Sequence, residues 1–463
     1  MSKASAHDLE RFFMPASIAV VGASRNPQKL GYVLLDNLQR ARYRGRLYPV
    51  NPKAERILGL TCHATVATLD ETPDLAVLTV PARAAAQVLE ECGQRGVRAA
   101  VVITAGFRET GPEGARAEEV LVAVARRYGI RLVGPNSVGI INTSIGMNAT
   151  FAETAPVQYE VGMLSQSGAV AAAILDWARS IGLGFSKFVS LGNMADLTDV
   201  DFLEFLGGDP ETKIIVGYLE GITDGRRMMD VARRITPSKP VIVIKVGGTQ
   251  AGARAAASHT GALATSDAVV DAAFRQVGIV RAATMAELFD YTLCFAYAPA
   301  PAGPRVAVVT NAGGPGVMAS DAIERLGLKL ARLSPEREQA LRERLPAAAA
   351  TANPIDVLGD GDAERYQAVL EVLRDDPSVD AIVALLTPQR MTEPERIARV
   401  ISYIAREQTK PLIAVFMCGE AVGRARALLD EARVPVYAYP ERAVRALAAM
   451  VQYGSYRRDA VDG

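Results

Sequence analysis

The chain is poor in the side chains that usually mark a chemical site. Its 463 residues include three histidines, one tryptophan and four cysteines. Cys62, Cys92, Cys294 and Cys418 stand far apart, with no CxxC and no Cys/His ligand spacing. Reduced thiols are therefore expected, with neither a disulfide nor a structural metal. Neither sign of charge is in excess: 51 basic residues balance 51 acidic ones, which removes the usual electrostatic footprint of a nucleic-acid partner. No apolar run approaches the ~20 residues that span a bilayer, and the N-terminal segment has no apolar core of a secretion signal. A soluble, cytoplasmic protein with no membrane partner is expected. What remains is an ordinary globular balance, 49% hydrophobic and 22% charged, long enough for about three domains of ~100–200 residues each.

Short apolar, β-branched runs alternate with Ala/Leu/Arg-rich helical patterns, the signature of parallel sheets with crossover helices, so the fold class is α/β. An opening strand from Ser17 feeds a turn at Gly22-Ala23-Ser24, and further strands are expected at 47–50, 75–80, 99–103 and 131–133, a Rossmann-like unit. Gly134-Pro135-Asn136-Ser137-Val138-Gly139 and the Pro/Gly-rich segment 298–304 punctuate the chain, predicting domains at about 1–131, 132–298 and 303–463. The last two read as copies of one another. Gly162-Met163-Leu164-Ser165-Gln166-Ser167-Gly168 parallels Val306-Ala307-Val308-Val309-Thr310-Asn311-Ala312-Gly313, Asp209-Pro210 parallels Asp376-Pro377, and Lys239-Pro240 parallels Lys410-Pro411. They differ where chemistry is expected: Thr387 stands where the earlier copy has Glu220, and the later copy lacks the Ala-rich insert around His259.

That insert is the most informative stretch. Between Gly247 and Thr265 only Gln250, Arg254, His259 and Leu263 are larger than threonine, so little competes with the imidazole for a small incoming group. Small residues also leave a loop room to move. Neutral imidazole attacks phosphorus, which makes His259 a candidate for phosphoryl relay; the same residues also read as an Ala-rich helix carrying a surface histidine. His7 and His63 have no comparable surroundings. Glu220 closes an apolar strand, where such folds place ligands, and suits a carboxylate that orients an imidazole; an exposed loop glutamate is the plainer reading.

Loops that leave a strand and open a helix aim backbone N–H groups at one point. Ser165, Gln166, Ser167 and Gly168 form one such loop and Asn311, Ala312, Gly313 and Gly314 another; paired across an interface they suit a phosphoryl group, and singly they also read as tight capping turns. In the first domain Gly22, Ser24, Arg25 and Lys29 combine a hydroxyl and cations with a helix start, and Lys53 ends the next strand on the same edge. Val80, Pro81, Thr104 and Ala105 continue that rim as a candidate ligand groove. There is no GxGxxG and no acidic residue closing the second strand, which weakens a dinucleotide-dependent dehydrogenase reading.

With Val21-Gly22-Ala23-Ser24, Gly134-Pro135-Asn136-Ser137, Ser165-Gln166-Ser167-Gly168 and Ser258-His259-Thr260-Gly261 in this order, the chain resembles the α subunit of the NDP-forming acyl-CoA synthetases, in the ADP-forming acetyl-CoA synthetase branch of the succinyl-CoA synthetase superfamily. The resemblance implies a Rossmann-like CoA-binding domain followed by two flavodoxin-like, succinyl-CoA synthetase-like domains. It implies that His259 carries phosphate from a nucleotide to a carboxylic acid, giving an acyl phosphate that the CoA thiol attacks, with Glu220 as the partner of the histidine. Ser24, Arg25, Lys29 and Lys53 would take the CoA nucleotide, and Asn136 would lie near the reacting centre. ATP-grasp domains are not among these residues, so the resemblance implies a β subunit that holds ATP/ADP with Mg2+, in an assembly such as α2β2. A CoA- or nucleotide-binding regulatory protein of the same fold is the alternative. The acyl group and the physiological direction are not legible.

Overall fold

The computed structural model describes residues 6–152, 157–252, 254, 266–407, 409–417 and 419–462. The chain divides into two units, Met1–Arg281 and Ala282–Gly463. The first contains two sheets. One is five-stranded and parallel, in the order Arg46–Val50, Ser17–Val21, Leu75–Leu78, Ala99–Val102, Arg131–Val133. Ser17–Val21, Leu75–Leu78 and Ala99–Val102 are buried at every position, as expected for strands covered on both faces by crossover helices. Strand order reverses between Ser17–Val21 and Leu75–Leu78, so the loops after these strands open into the crevice where α/β sheets take ligands.

The second sheet has seven strands, in the order Val280–Ala282, Val241–Lys245, Ile214–Leu219, Gln158–Ser165, Phe185–Ser190, Gly139–Asn142, Met147–Thr150. Its reversal falls between Gln158–Ser165 and Ile214–Leu219. An antiparallel hairpin, Gly139–Asn142 with Met147–Thr150, closes one edge. The reading of this region as parallel strands did not foresee it. Its turn is explained by Asn142, whose side chain accepts the Ser144 amide at 3.1 Å, and by Gly146 at φ +67°.

The two sheets share one core, in which Ile18, Val20 and Leu34 of the first cluster with Ile140, Met147, Leu164 and Phe202 of the second. Backbone bonds reinforce it. The segment after Phe185–Ser190 runs along the end of the first sheet, with Asn193 N to Pro135 O at 2.8 Å, Ala195 N to Gly134 O at 3.0 Å and Leu197 N to Leu132 O at 3.3 Å. The fully buried Asp196 carboxylate accepts both a bidentate pair of bonds from Arg131 and the Leu132 amide.

The second unit has a parallel sheet in the order Lys329–Leu330, Arg305–Thr310, Ala381–Leu386, Leu412–Phe416, Val436–Tyr437, with Ile355–Asp356 also paired to Arg305–Thr310. The helix Met285–Tyr297, placed by sequence in the 132–298 segment, belongs to this unit. Arg442 grips its Asp290 through two bonds of 2.8 and 2.6 Å, and Tyr437 Oη donates to the Asp290 carbonyl at 2.7 Å.

The matched Asp-Pro and Lys-Pro signatures have one structural meaning in both copies. Lys239 Nζ donates to the carbonyls of Leu206 and Asp209 at the end of the helix Asp199–Gly208. Lys410 Nζ donates to those of Leu373 and Asp376 at the end of Ala363–Arg374. Each ammonium thus satisfies the orphan carbonyls of a helix C-terminus. Among the described residues, no helix is long and apolar enough to cross a membrane.

Candidate functional site

The first candidate site is the carboxyl edge of the five-stranded sheet. Gly22 has φ +95°, and a Cβ there would meet Thr79 Oγ1 at 2.6 Å; a Cβ on Gly31 would come within 2.1 Å of the Gly22 carbonyl. Glycine at both positions lets the helix Leu30–Arg40 start directly against the strand end. Ser24 Oγ accepts the Asn26 amide at 3.0 Å, while Arg25 and Lys29 are exposed on the rim. Lys29 occupies the N-cap position of that helix, which has no side-chain cap.

Neighbouring loops are stapled together along this edge. Asn51 Nδ2 donates to the Ala23 carbonyl at 2.6 Å while its Oδ1 accepts the Lys53 amide at 2.8 Å, which sets the exposed Lys53 beside the first loop. Thr79 Oγ1 donates to Val21 O at 3.0 Å, Thr104 Oγ1 to Val80 O at 2.5 Å, and Asn136 N to Thr104 O at 2.9 Å. The fold therefore brings Ser24, Arg25, Lys29, Lys53, Val80, Pro81, Thr104, Ala105 and Asn136 to one rim. Its cations Arg25, Lys29 and Lys53 gather at one end and Asn136, at φ +59°, ends the other.

The second candidate site lies at the strand-order reversal of the seven-stranded sheet. Gln166 bridges it. Its Oε1 accepts the amides of Glu220 and Gly221 at 2.7 and 3.0 Å, its Nε2 donates to Gly221 O at 2.9 Å, and its own amide bonds Tyr218 O at 3.0 Å. Glu220, half-buried, is thereby fixed beside the start of the helix Gly168–Ser180. Ser165 is fully buried, its hydroxyl donating to Ser167 O at 2.8 Å, and Ser167 Oγ caps the helix by accepting the Val170 amide at 3.4 Å. The Ser165, Gln166 and Ser167 side chains thus shape the loop, and what the loop presents is the backbone at Gly168.

The surroundings of Glu220 include a residue that sequence reasoning passed over. Lys245 ends the wholly buried strand Val241–Lys245 and is 8% exposed, with Nζ donating to Val246 O at 2.5 Å. Burial pulls its ammonium below the usual lysine range, opposed by the carboxylates of Asp267 and Glu220. The half-buried Tyr218 is pushed above the usual phenol range by burial and by Glu220. The available signal for Lys245 was a lysine closing the apolar run Val241-Ile242-Val243-Ile244. His259 lies outside the described residues, as does the side chain of His7. His63 packs edge-on to the Tyr48 ring, centroids 6.0 Å apart, a structural setting.

The corresponding loop of the second unit repeats this geometry. Asn311, 1% exposed, accepts the Thr387 amide and donates to the Thr387 carbonyl, both at 2.9 Å. Thr310 Oγ1 donates to Ala312 O at 2.8 Å, as Ser165 does to Ser167. Gly313 and Gly314 then open the helix Gly313–Arg325 with exposed backbone. Among the described residues, no three His, Cys, Asp or Glu side chains converge as a metal site.

Three family matches place this pair of sheets, and the sheet of the second unit, in the CoA-ligase class. Residues 16–143 match the family described as CoA binding domain, 158–295 the succinyl-CoA ligase like flavodoxin domain, and 306–460 the Ligase-CoA domain. Acetate–CoA ligase [ADP-forming] II subunit alpha of Pyrococcus furiosus is 43% identical over 98% of this chain and 100% of its own length. Acetate–CoA ligase [ADP-forming] I of Archaeoglobus fulgidus is 44% identical over 96% of this chain, which spans 64% of that longer relative. The solved dinucleotide forming acetyl-coenzyme A synthetase 1 of Ca. Korarchaeum cryptofilum, in complex with phosphate and ADP, superposes with a TM-score of 0.94 at 39% identity, covering 98% of each chain. The chain belongs to the ADP-forming acetate–CoA ligase family.

Proposed function

We propose that this chain is the α subunit of an ADP-forming acyl-CoA synthetase, interconverting acid, CoA and ATP with acyl-CoA, ADP and phosphate. An ATP-grasp β subunit holds the nucleotide in an α2β2 assembly. A ring nitrogen of His259 attacks the terminal phosphorus and ADP leaves. Glu220 accepts the hydrogen bond of the other ring nitrogen, fixing the tautomer and favouring the positive charge that develops on the ring. A carboxylate oxygen of the acid then takes the phosphoryl group, the CoA thiolate attacks the acyl carbon, and phosphate departs. Mg2+ on the nucleotide, held by the β subunit, would supply neutralisation of phosphate charge.

The observation that carries this reading is the Glu220 backbone locked by Gln166, two residues before the start of Gly168–Ser180 and at the reversal of its sheet, the kind of place where α/β sheets and helix starts take anions. In the second unit the loop at Asn311–Gly314 repeats the helix-opening geometry that suits a phosphate. The rim of the first sheet suits CoA. Its polyanionic nucleotide fits the end carrying Ser24, Arg25, Lys29 and Lys53, and the neutral pantetheine fits the uncharged stretch Val80–Pro81 and Thr104–Ala105 towards Asn136. The test is acyl-CoA formation by the chain co-expressed with its β subunit, across short-chain, aromatic and sulfonated acids. Stoichiometric ADP and acyl-CoA from at least one carboxylic acid is expected. CoA binding with no turnover on any acid would favour the regulatory alternative.

A further inference from the structure

The first two sheets meet at a buried amide. Asn193, 8% exposed, donates through Nδ2 to Glu109 Oε2 at 2.6 Å and to Glu118 Oε2 at 2.8 Å, while its Oδ1 accepts Asn136 Nδ2 at 3.4 Å. Chemistry forces this orientation, because both carboxylates can only accept when ionised. Glu118 is 7% exposed within the helix Pro112–Tyr128, with Arg108 at 3.6 Å as its ion partner, and the amide bond replaces part of the hydration this buried carboxylate has lost. Glu109 carries the contact onward: its Oε1 accepts the amides of Gly106 and Phe107 at 2.5 and 3.0 Å, at the turn that follows Thr104 and Ala105. Burial raises the Glu109 carboxyl, but the bonds from Asn193 and these amides outweigh it and hold the group below the usual carboxylate range.

We propose that Asn193 is a positioning residue for CoA, holding Asn136 and the Thr104–Phe107 turn in register at the thiol end of the groove. The proposal rests on reading that rim as the CoA groove. Removing the amide leaves Glu109 and Glu118 facing each other unbridged, so their repulsion opens the turn. The cation end of the rim, braced separately by Asn51, keeps its shape.

The test compares CoA with adenosine 3′,5′-bisphosphate, which carries part of the nucleotide and no pantetheine, by calorimetry on the full chain. Asn193→Ala is expected to weaken CoA by about tenfold, the scale of a lost charge-assisted bond, and to leave the bisphosphate unchanged. Asn193→Asp, nearly isosteric, should weaken CoA at least as much. The triple variant Asn193→Asp/Glu109→Gln/Glu118→Gln exchanges donor and acceptor in both bonds and should recover most of the loss, and it carries the test if Asn193→Ala does not fold. Equal loss of both ligands, no loss of CoA, or failure of the triple variant to recover would overturn the proposal while leaving the groove intact as a CoA site. If the wild-type chain binds neither ligand, the groove reading falls and the proposal with it.

Discussion

Gln166 and Asn311 show how side-chain chemistry and side-chain duty can diverge. As short amides in helix-opening loops, both read naturally as phosphate ligands. The fold instead turns each one back onto the backbone of the neighbouring strand end, Gln166 onto Glu220 and Gly221, Asn311 onto Thr387. A sequence cannot reveal this, because the partner is a main-chain group 54 or more residues away. Asp199 is a second residue whose role appears only in three dimensions. It is fully buried; Thr223 Oγ1 donates to its Oδ1 at 3.4 Å, and Oδ2 has no hydrogen-bond partner among the described residues. Burial, against hydrogen bonds from Val200 and Thr223, pushes its carboxyl up to about 6 from 3.8. A folded pKa above the unfolded one means the folded state binds more protons between these values. This contribution is therefore fully present below about pH 4, falls as pH rises through 6, and is absent above. Asp199→Asn should raise stability by ~2–3 kcal/mol at pH 8 and by almost nothing at pH 4. Urea melts at the two pH values measure the difference.

At the scale of elements, much of the architecture was legible. Nearly continuous apolar strands such as Ser17–Val21 and Leu75–Leu78 announce a parallel sheet by composition, and Gly22 marks its first turn because no other residue fits that close approach. The duplication was also visible, but its repeated Asp-Pro and Lys-Pro signatures are structural: Lys239 and Lys410 tie off equivalent helix ends. Burial lowers both ammonium groups below the usual range, so each bond replaces lost hydration. Lys410→Met keeps the stem and removes the donors, and should cost ~1–3 kcal/mol in urea unfolding through the carbonyls of Leu373 and Asp376 left unpaired. The edge hairpin Gly139–Asn142 with Met147–Thr150 was not legible, since its strands are short and its turn depends on how Asn142 folds back on Ser144.

At the scale of the molecule, sequence punctuation and compaction part ways. Gly134-Pro135 looks like a linker, yet the segment 192–197 hydrogen-bonds along it and one core spans both flanking sheets. The rim read as a CoA groove and the cradle beside Glu220 consequently belong to a single unit, Met1–Arg281. That arrangement suits a reaction in which a thiol must meet an acyl phosphate formed nearby, since fixed geometry removes much of the entropy cost of bringing reactants together. In the proposed reaction His259 carries the phosphoryl group in transit. Its direct measurement is labelling of the assembled enzyme with [γ-32P]ATP and Mg2+, followed by acid and base treatment of the α chain. An acid-labile, base-stable label at His259 is expected, absent in His259→Ala and formed about a hundredfold more slowly in Glu220→Gln. Undiminished labelling of His259→Ala, or full turnover by that variant, would contradict it.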